Sequence, residues 1–162
     1  MQLTPEALAA LREKSGLRID ADGHFWLRGK PVENERVEWL FHRGLRWDGH
    51  RVSLHVGEQW AYVERIDDVA WFVERVLGGA LLLRQDERVP LRDVHFELAD
   101  GGPRAGCVYA DLPDGRRARF ERLAQLDLEP LLEEQDGALV LRVEGAVVRV
   151  GTVAHAVPSA SP

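Results

Sequence analysis

The sequence has 162 residues, 45% hydrophobic and 30% charged, which is typical of a globular protein that can bury a core without metals or disulfides. Its net charge of −6 argues against nonspecific binding to acidic membranes or to nucleic acids, so we expect neither as a partner. Cys107 is the one cysteine, which excludes an internal disulfide framework and a cysteine zinc site and favours a reducing compartment.

The N-terminal segment predicts a short helix. Thr4 is a good N-cap, and Pro5 suits the first helical position. Leu8 and Leu11 fall on one face, and Gly16 is a natural end. The segment is charged from residue 6 onward and lacks a signal-peptide core, and no apolar run approaches a membrane span. We therefore expect a cytoplasmic protein.

Residues 17–32 predict two or three short strands. Asp22 and Gly23 form a hairpin signal, and residues 28–31 form a second turn. The alternation of a strand places Phe25 and Leu27 on one face. This region should form a small antiparallel sheet.

A second helix is predicted over residues 35–44, with Asn34 as its cap. Its apolar positions follow helical spacing, so we expect them to face the core. They are Val37, Leu40, Phe41 and Leu45.

The middle of the chain is rich in predicted strands. Residues 52–56 alternate between apolar and polar, as in a half-buried strand. Residues 60–63 and 69–73 are apolar on both faces and predict central strands whose aromatic rings fill the core. Further strands are predicted at 80–83, 94–98, 104–109 and 116–120.

The C-terminal part predicts one more helix and a closing hairpin. Residues 121–134 carry leucines at helical spacing, although Pro130 implies a kink or two shorter pieces. Residues 139–150 alternate around a turn, and residues 154–162 are small and polar, as in a disordered tail.

Three carboxylates mark the bend between the two apolar strands. Glu64, Asp67 and Asp68 could perform acid–base chemistry or bind Mg²⁺, and aspartates in a turn also bind backbone amides. An enzyme would collect these carboxylates with a histidine. The candidates are His24, His50 and His55.

Two arginines and two tryptophans are candidate ligand-binding residues. Arg117 and Arg119 share a strand face and could hold a phosphate or carboxylate, or form internal salt bridges. Trp26 and Trp60 could form an aromatic platform or fill the core. Neither a nucleophile elbow nor a glycine-rich phosphate loop occurs, so no cofactor and no metal site are predicted.

The order of motifs between residues 22 and 72 resembles that of a known family. Asp22-Gly23 precedes Phe25-Trp26, and Gly29-Lys30-Pro31-Val32 precedes a helix with Leu40-Phe41. The acidic bend lies in Tyr-Val-Glu-Arg-Ile-Asp-Asp-Val-Ala-Trp-Phe, at 62–72. This pattern resembles the bacterial family catalogued as domain of unknown function 1285. The resemblance implies a small β-roll-like N-terminal part joined to a larger α+β part, and it implies no reaction.

We predict an α+β protein with mostly antiparallel sheets and three short helices. Its subdomains are predicted at 1–73 and 74–153, followed by a tail at 154–162. The leading hypothesis is a noncatalytic binding or regulatory module for a protein or a small molecule. The alternative is an enzyme, such as a metal-dependent hydrolase with a histidine–carboxylate cluster. A homodimer formed through an edge strand is a third prediction.

Overall fold

The structure, a computed structural model, describes residues 4–143 and 145–153, and the chain divides into two units between Ala70 and Trp71. Of the described residues, the N-terminal unit contains two helices and seven strands, and the C-terminal unit one helix and nine strands. The subdomain boundary predicted from the sequence stays a prediction. The predicted tail, 154–162, lies outside the described residues.

The first helix, α1 (Pro5–Glu13), begins where the sequence predicts. The Thr4 hydroxyl accepts a hydrogen bond from the amide of Ala7 at 3.1 Å, which satisfies one free donor of the first turn. No residue of α1 is buried. A helix this short depends on contacts with its surroundings, and α1 contacts the strand that carries Trp60.

The strands predicted for residues 17–32 are present, and a further strand at Arg65–Ile66 extends them to a four-stranded sheet. Its strands are β1 (Leu17–Ile19), β2 (Phe25–Leu27), β3 (Lys30–Pro31) and β7 (Arg65–Ile66), in the order β3-β2-β1-β7. The pair β1–β7 is parallel and the others are antiparallel. Ile19 and Phe25 are fully buried and form the core beneath this sheet.

The second helix, α2 (Glu35–Gly44), has the predicted cap, because the Asn34 side chain accepts from two amides of the first turn. The predicted inward stripe is wrong in part, since Val37 and Leu40 are exposed and His42 is buried instead. His42 Nε2 lies 3.0 Å from the carbonyl of Gly23, which explains how a polar ring is accommodated there.

A three-stranded antiparallel sheet completes the N-terminal unit, with β4 (Leu45–Trp47), β5 (Val52–Val56) and β6 (Gln59–Tyr62). The alternating burial of β5 confirms its predicted pattern over Val52, Ser53 and Leu54. The prediction that residues 60–63 form a central strand is wrong, because β6 is the edge strand and its residues are not buried.

The C-terminal unit is built on one nine-stranded mixed sheet, in the order β10-β9-β8-β13-β12-β11-β16-β15-β14. The pairs β8–β13 and β11–β16 are parallel and the rest are antiparallel. Among its fully buried side chains are Phe72, Leu81 and Phe96. The strands are β8 (Trp71–Leu77), β9 (Ala80–Leu83), β10 (Arg88–Pro90), β11 (His95–Ala99), β12 (Val108–Asp111), β13 (Arg117–Phe120), β14 (Leu132–Gln135), β15 (Ala138–Val143) and β16 (Ala146–Val153).

The last helix, α3 (Arg122–Leu128), is shorter than predicted. A 3₁₀ turn, Glu129–Leu131, follows it, and residues predicted as helix become strand β14. Pro130 lacks an amide donor, so the α-helical ladder cannot continue through it. The predicted α+β class with three helices and mostly antiparallel pairing is confirmed for the described residues. No described helix is long and apolar enough to span a membrane.

Candidate functional site

The N-terminal unit contains an open cleft of about 420 Å³, which we call the α1 cleft. It lies among α1, α2 and strands β1, β2, β5 and β6. Its walls are mainly apolar, and they include Leu8, Leu11, Leu27, Phe41, Leu54 and Val56. The apolar face of α1 therefore lines an open space rather than a filled core, which accounts for the lack of buried residues in this helix.

Three cations lie around the α1 cleft, and no acidic residue lines it. They are Arg12, Lys14 and Arg28. None of the three forms an ion pair with a residue that the structure describes. In a protein of net charge −6, this local excess of positive charge makes the cleft attractive to anions.

Backbone contacts place Arg28 beside the end of α1, at the cleft that Arg12 also lines. The amide of Arg28 donates to the carbonyl of Gly16 at 2.9 Å, so the turn after β2 lies against the end of α1. A Cβ on Gly16 would lie 2.8 Å from the Arg28 Cγ, and the φ of +74° at Gly16 also favours glycine. Substitution of Gly16 should therefore displace Arg28.

Trp60 is the aromatic wall of the cleft, on edge strand β6. The Arg12 guanidinium carbon lies 4.1 Å from the centroid of the Trp60 ring, a cation–π contact. His55 is the cross-strand partner of Trp60 and stacks on it with centroids 5.7 Å apart. The ring of Trp60 therefore packs between His55 of its own sheet and the Arg12 side chain.

The donors of Arg12 are not all used. Its Nε is shielded from solvent and has no hydrogen-bond partner among the described residues. Such a donor is costly unless an acceptor reaches it. The side chain therefore offers an unused donor as well as a charge.

The remaining polar groups of the cleft suit binding more than chemistry. Its lining contains no carboxylate, histidine or cysteine. The Ser15 hydroxyl donates to the carbonyl of Tyr62 at 2.6 Å and accepts from the amide of Leu17, so it is engaged. Burial, with Arg46 and Arg12 nearby, lowers the pKa of His55, so this ring beside the cleft is neutral at neutral pH.

The predicted acidic bend is a structural ion-pair network. Arg18 Nε donates to Asp67 Oδ2 at 3.0 Å, and Arg65 Nε lies 2.8 Å from Asp67 Oδ1. Glu64 is exposed, and its amide donates to the carbonyl of Leu17. Asp68, at the same bend, is half-buried.

The histidines proposed for a catalytic cluster lie elsewhere. His24 Nδ1 is 3.0 Å from Glu38 Oε1, and His50 lies in an exposed turn where its amide donates to Asp48. Among the described residues, neither histidine forms a metal-type group with the bend carboxylates, and nor does His55.

The one metal-type group among the described residues is His95, Glu97 and Asp111, whose ligand atoms lie within 4.8 Å of one another. Arg117 donates to Asp111 at 2.7 Å and to Glu97 at 3.0 Å. The Arg117 guanidinium already pairs with both carboxylates, so we assign this cluster a structural role. The internal salt bridges predicted as one alternative for Arg117 are present.

The other predicted residues do not line the α1 cleft. Arg119 is 8% exposed and lies 5.1 Å from the ring centroid of Phe72. The Trp26 indole donates to Asp20 Oδ2 at 2.8 Å. Of the seven residues predicted as ligand-binding, Trp60 alone lines the cleft.

Sequence reasoning missed the three cations of the cleft. Arg12 and Lys14 read as the basic end of an amphipathic helix, and Arg28 as part of a turn. The available signal was the apolar face of α1, on which Leu8 and Leu11 lie. That signal could not show whether the face is covered.

No protein-family model and no curated protein matches this sequence. Among solved structures, a DUF1285 family protein from Silicibacter pomeroyi DSS-3 has a TM-score of 0.60 at 21% identity, covering 85% of this chain and 80% of that chain. A DUF1285 family protein from Shewanella baltica OS155 has a TM-score of 0.48 at 16% identity, covering 73% and 93%. The first comparison confirms the resemblance inferred from the sequence at the level of the fold.

Proposed function

We propose that the protein is a noncatalytic binding module whose N-terminal unit takes up a small apolar molecule in the α1 cleft. One observation carries this proposal: the apolar face of α1, with Leu8 and Leu11, borders an open cleft instead of a packed core. Exposed apolar surface is unfavourable in water, and a ligand that covers it gains that free energy.

The size and lining of the cleft support a small molecule. Its volume of about 420 Å³ lies in the range of roughly 300–1,000 Å³ that small-molecule sites occupy. Trp60 and Phe41 add aromatic surface, and Gln59 is an uncharged polar group on the same lining. Such a mixture of apolar walls and few polar groups is typical of ligand sites.

The absence of carboxylates, histidines and cysteines from this lining supports binding without catalysis. General acid–base or nucleophilic catalysis needs a titratable group or an activated nucleophile close to the ligand. The charged groups of this lining are two arginines and one lysine.

We also propose that the protein acts in a bacterial cytoplasm, because its one thiol, Cys107, is free.

The test uses the neutral fluorophore N-phenylnaphthylamine, whose emission rises in apolar surroundings. We expect saturable binding to the wild-type protein. Leu11→Gln should weaken the affinity about fivefold, because a partly exposed leucine contributes about 1 kcal/mol of apolar contact to a bound ligand.

Leu126→Gln is the matched control. Leu126 is 48% exposed on α3 and Leu11 is 47% exposed on α1, so both changes remove an equally exposed helical leucine. The control should bind the fluorophore as the wild type does. Equal loss in the two variants, or no saturable binding by the wild type, would contradict the proposal.

The predicted homodimer stays a prediction, and static light scattering of the full chain tests it. A mass of twice 18.3 kDa would support it.

A further inference from the structure

We infer that the ligand of the α1 cleft is an amphipathic carboxylate whose head group pairs with Arg12 and whose apolar chain lies along Leu8, Leu11 and Trp60. This inference rests on the proposed function and names the chemical class of its ligand. It follows from the distribution of charge in the cleft, from the state of Arg12 and from the shape of the apolar lining.

The charge of the cleft selects an anion. Arg12, Lys14 and Arg28 line the cleft without a single carboxylate among the lining residues. Elsewhere in the same unit, arginines meet acids, as Arg51 meets Glu13 at 2.9 Å. The cleft therefore concentrates unneutralised positive charge in a chain that is negative overall, and an anionic ligand would neutralise it.

Arg12 is the cation best suited to the head group. Its guanidinium carbon lies 4.1 Å from the centroid of the Trp60 ring, and its Nε is shielded from solvent without an acceptor among the described residues. A guanidinium presents donors in a planar fork that matches a carboxylate, and such charge-assisted pairs are among the stronger hydrogen bonds. A ligand carboxylate in the cleft would supply the missing acceptor.

The apolar lining selects a chain rather than a small free anion. Leu8 and Leu11 on α1 face the same space as Leu54 and Val56 on β5. Acetate or inorganic phosphate would leave the exposed surfaces of Leu8, Leu11 and Val56 in water. A molecule that joins a carboxylate to an aliphatic chain covers both parts of the site.

Three unbranched amphiphiles with similar alkyl chains and different head groups test the inference, each below its micelle-forming concentration. Decanoate is anionic, decanol is neutral and decyltrimethylammonium is cationic. Each is titrated against the full chain loaded with N-phenylnaphthylamine. We expect decanoate to displace the fluorophore at about tenfold lower concentration than decanol, and the cation to be the weakest.

The variant Arg12→Gln should remove the preference for decanoate over decanol, because the carboxylate loses its cationic partner. Arg36→Gln is the matched control, because Arg36 is an exposed arginine on helix α2 that does not line the cleft. It should keep the full preference. Arg12→Glu should reverse the order, so that decyltrimethylammonium displaces better than decanoate.

The outcomes separate the two proposals. If decanol displaces the fluorophore as well as decanoate does, or if Arg12→Gln keeps the wild-type preference, the carboxylate inference is overturned and the apolar cleft stands. If Arg12→Gln weakens decanol and decanoate equally, Arg12 only supports Trp60 and the inference is again overturned. If the wild type does not bind the fluorophore saturably, the proposed function itself fails.

Discussion

Arginines in the two units of this protein differ in what they contact. In the C-terminal unit, Arg116 forms a bidentate pair with Glu87, both distances being 2.6 Å, and also donates to Asp114 at 2.7 Å. Its side chain is 10% exposed. In the α1 cleft of the N-terminal unit, Arg12 contacts the ring of Trp60 and has an unused donor.

This difference shows that a cluster of arginines in the sequence is a poor guide to a binding site. Arg116, Arg117 and Arg119 stand close together in the chain, which favours an anion site on sequence alone. In the structure, carboxylates from other parts of the C-terminal unit pair with the first two. The three cations of the α1 cleft form no ion pair with a described residue, and the walls around them are mainly apolar.

Replacement of the paired arginine in the C-terminal unit should cost much more stability than replacement of the cleft arginine. Arg116→Gln should lower the free energy of unfolding by about 2 kcal/mol, because it leaves Glu87 and Asp114 without their largely buried partner. Arg12→Gln should change it by less than about 0.5 kcal/mol, since that side chain forms no ion pair. Urea unfolding followed by circular dichroism measures both. Equal losses of unfolding free energy in the two variants would mean that Arg12 stabilises the fold as much as Arg116 does.

The acidic bend provides a second, smaller test within the N-terminal unit. Asp67→Ala should lower the free energy of unfolding by about 1–2 kcal/mol, because Arg18 and Arg65 both lose a carboxylate that is 14% exposed.

The same variant tests the enzyme alternative. Thermal unfolding is measured with and without Mg²⁺, Mn²⁺ or Zn²⁺, and we expect no metal-induced shift in the wild type or in Asp67→Ala. A rise of several degrees in the wild type that disappears in the variant would instead support a metal site at the bend.

Glu74 of the C-terminal unit should destabilise the folded state at neutral pH but not in acid. Burial and the nearby charge of Glu121 raise its pKa, while Arg84 partly opposes them. The ionised form is therefore unfavourable in the folded state, and this cost disappears as the pH falls through the raised pKa. Glu74→Gln should be more stable than the wild type at pH ~7, and the difference should vanish below about pH 4, near the ordinary pKa of a glutamate.

Asp20 of the N-terminal unit should instead stabilise the folded state at neutral pH. We expect its contribution to the free energy of unfolding to be smaller than those of the other residues discussed. Burial opposes its ionisation, but hydrogen bonds from Trp26 and from the amides of His24 and Asp22 lower its pKa. Its stabilising contribution is present above the ordinary aspartate pKa of ~3.9 and is lost as the pH falls through the lower pKa of the folded state.

Asp20→Asn should therefore be less stable than the wild type at neutral pH. Unfolding curves at several pH values should show the two proteins converging in acid. A constant difference from neutral pH down to about pH 2, well below the ordinary pKa, would mean that ionisation of Asp20 does not matter.

Much of the local structure could be predicted because its causes lie close together in the chain. Thr4 and Asn34 cap helices through amides two or three residues away, and the alternation of β5 records burial on one face. Pro130 correctly indicated an interruption, but not the strand that follows it. That strand, β14, exists because β15 folds back and pairs with it.

The site was predicted less well, and Trp60 shows why. Its apolar neighbours indicate a buried strand, yet β6 is an edge strand and Trp60 lines the cleft. Strand order depends on pairing between distant segments, so the exposure of Trp60 could not be read from residues 60–63. The exposed Val37 and Leu40 of α2 show the same limit for a helix.

Helix starts, turns and the alternation of β5 could be predicted from the sequence, because the groups that form a cap or a turn lie a few residues apart. Which arginines form ion pairs, by contrast, depends on the tertiary structure. Arg116 meets Glu87 across 29 residues and Arg18 meets Asp67 across 49, whereas Arg12 meets the ring of Trp60. Charges pair only over a few ångströms, so the fold had to bring these groups together before one arginine could be left for a ligand.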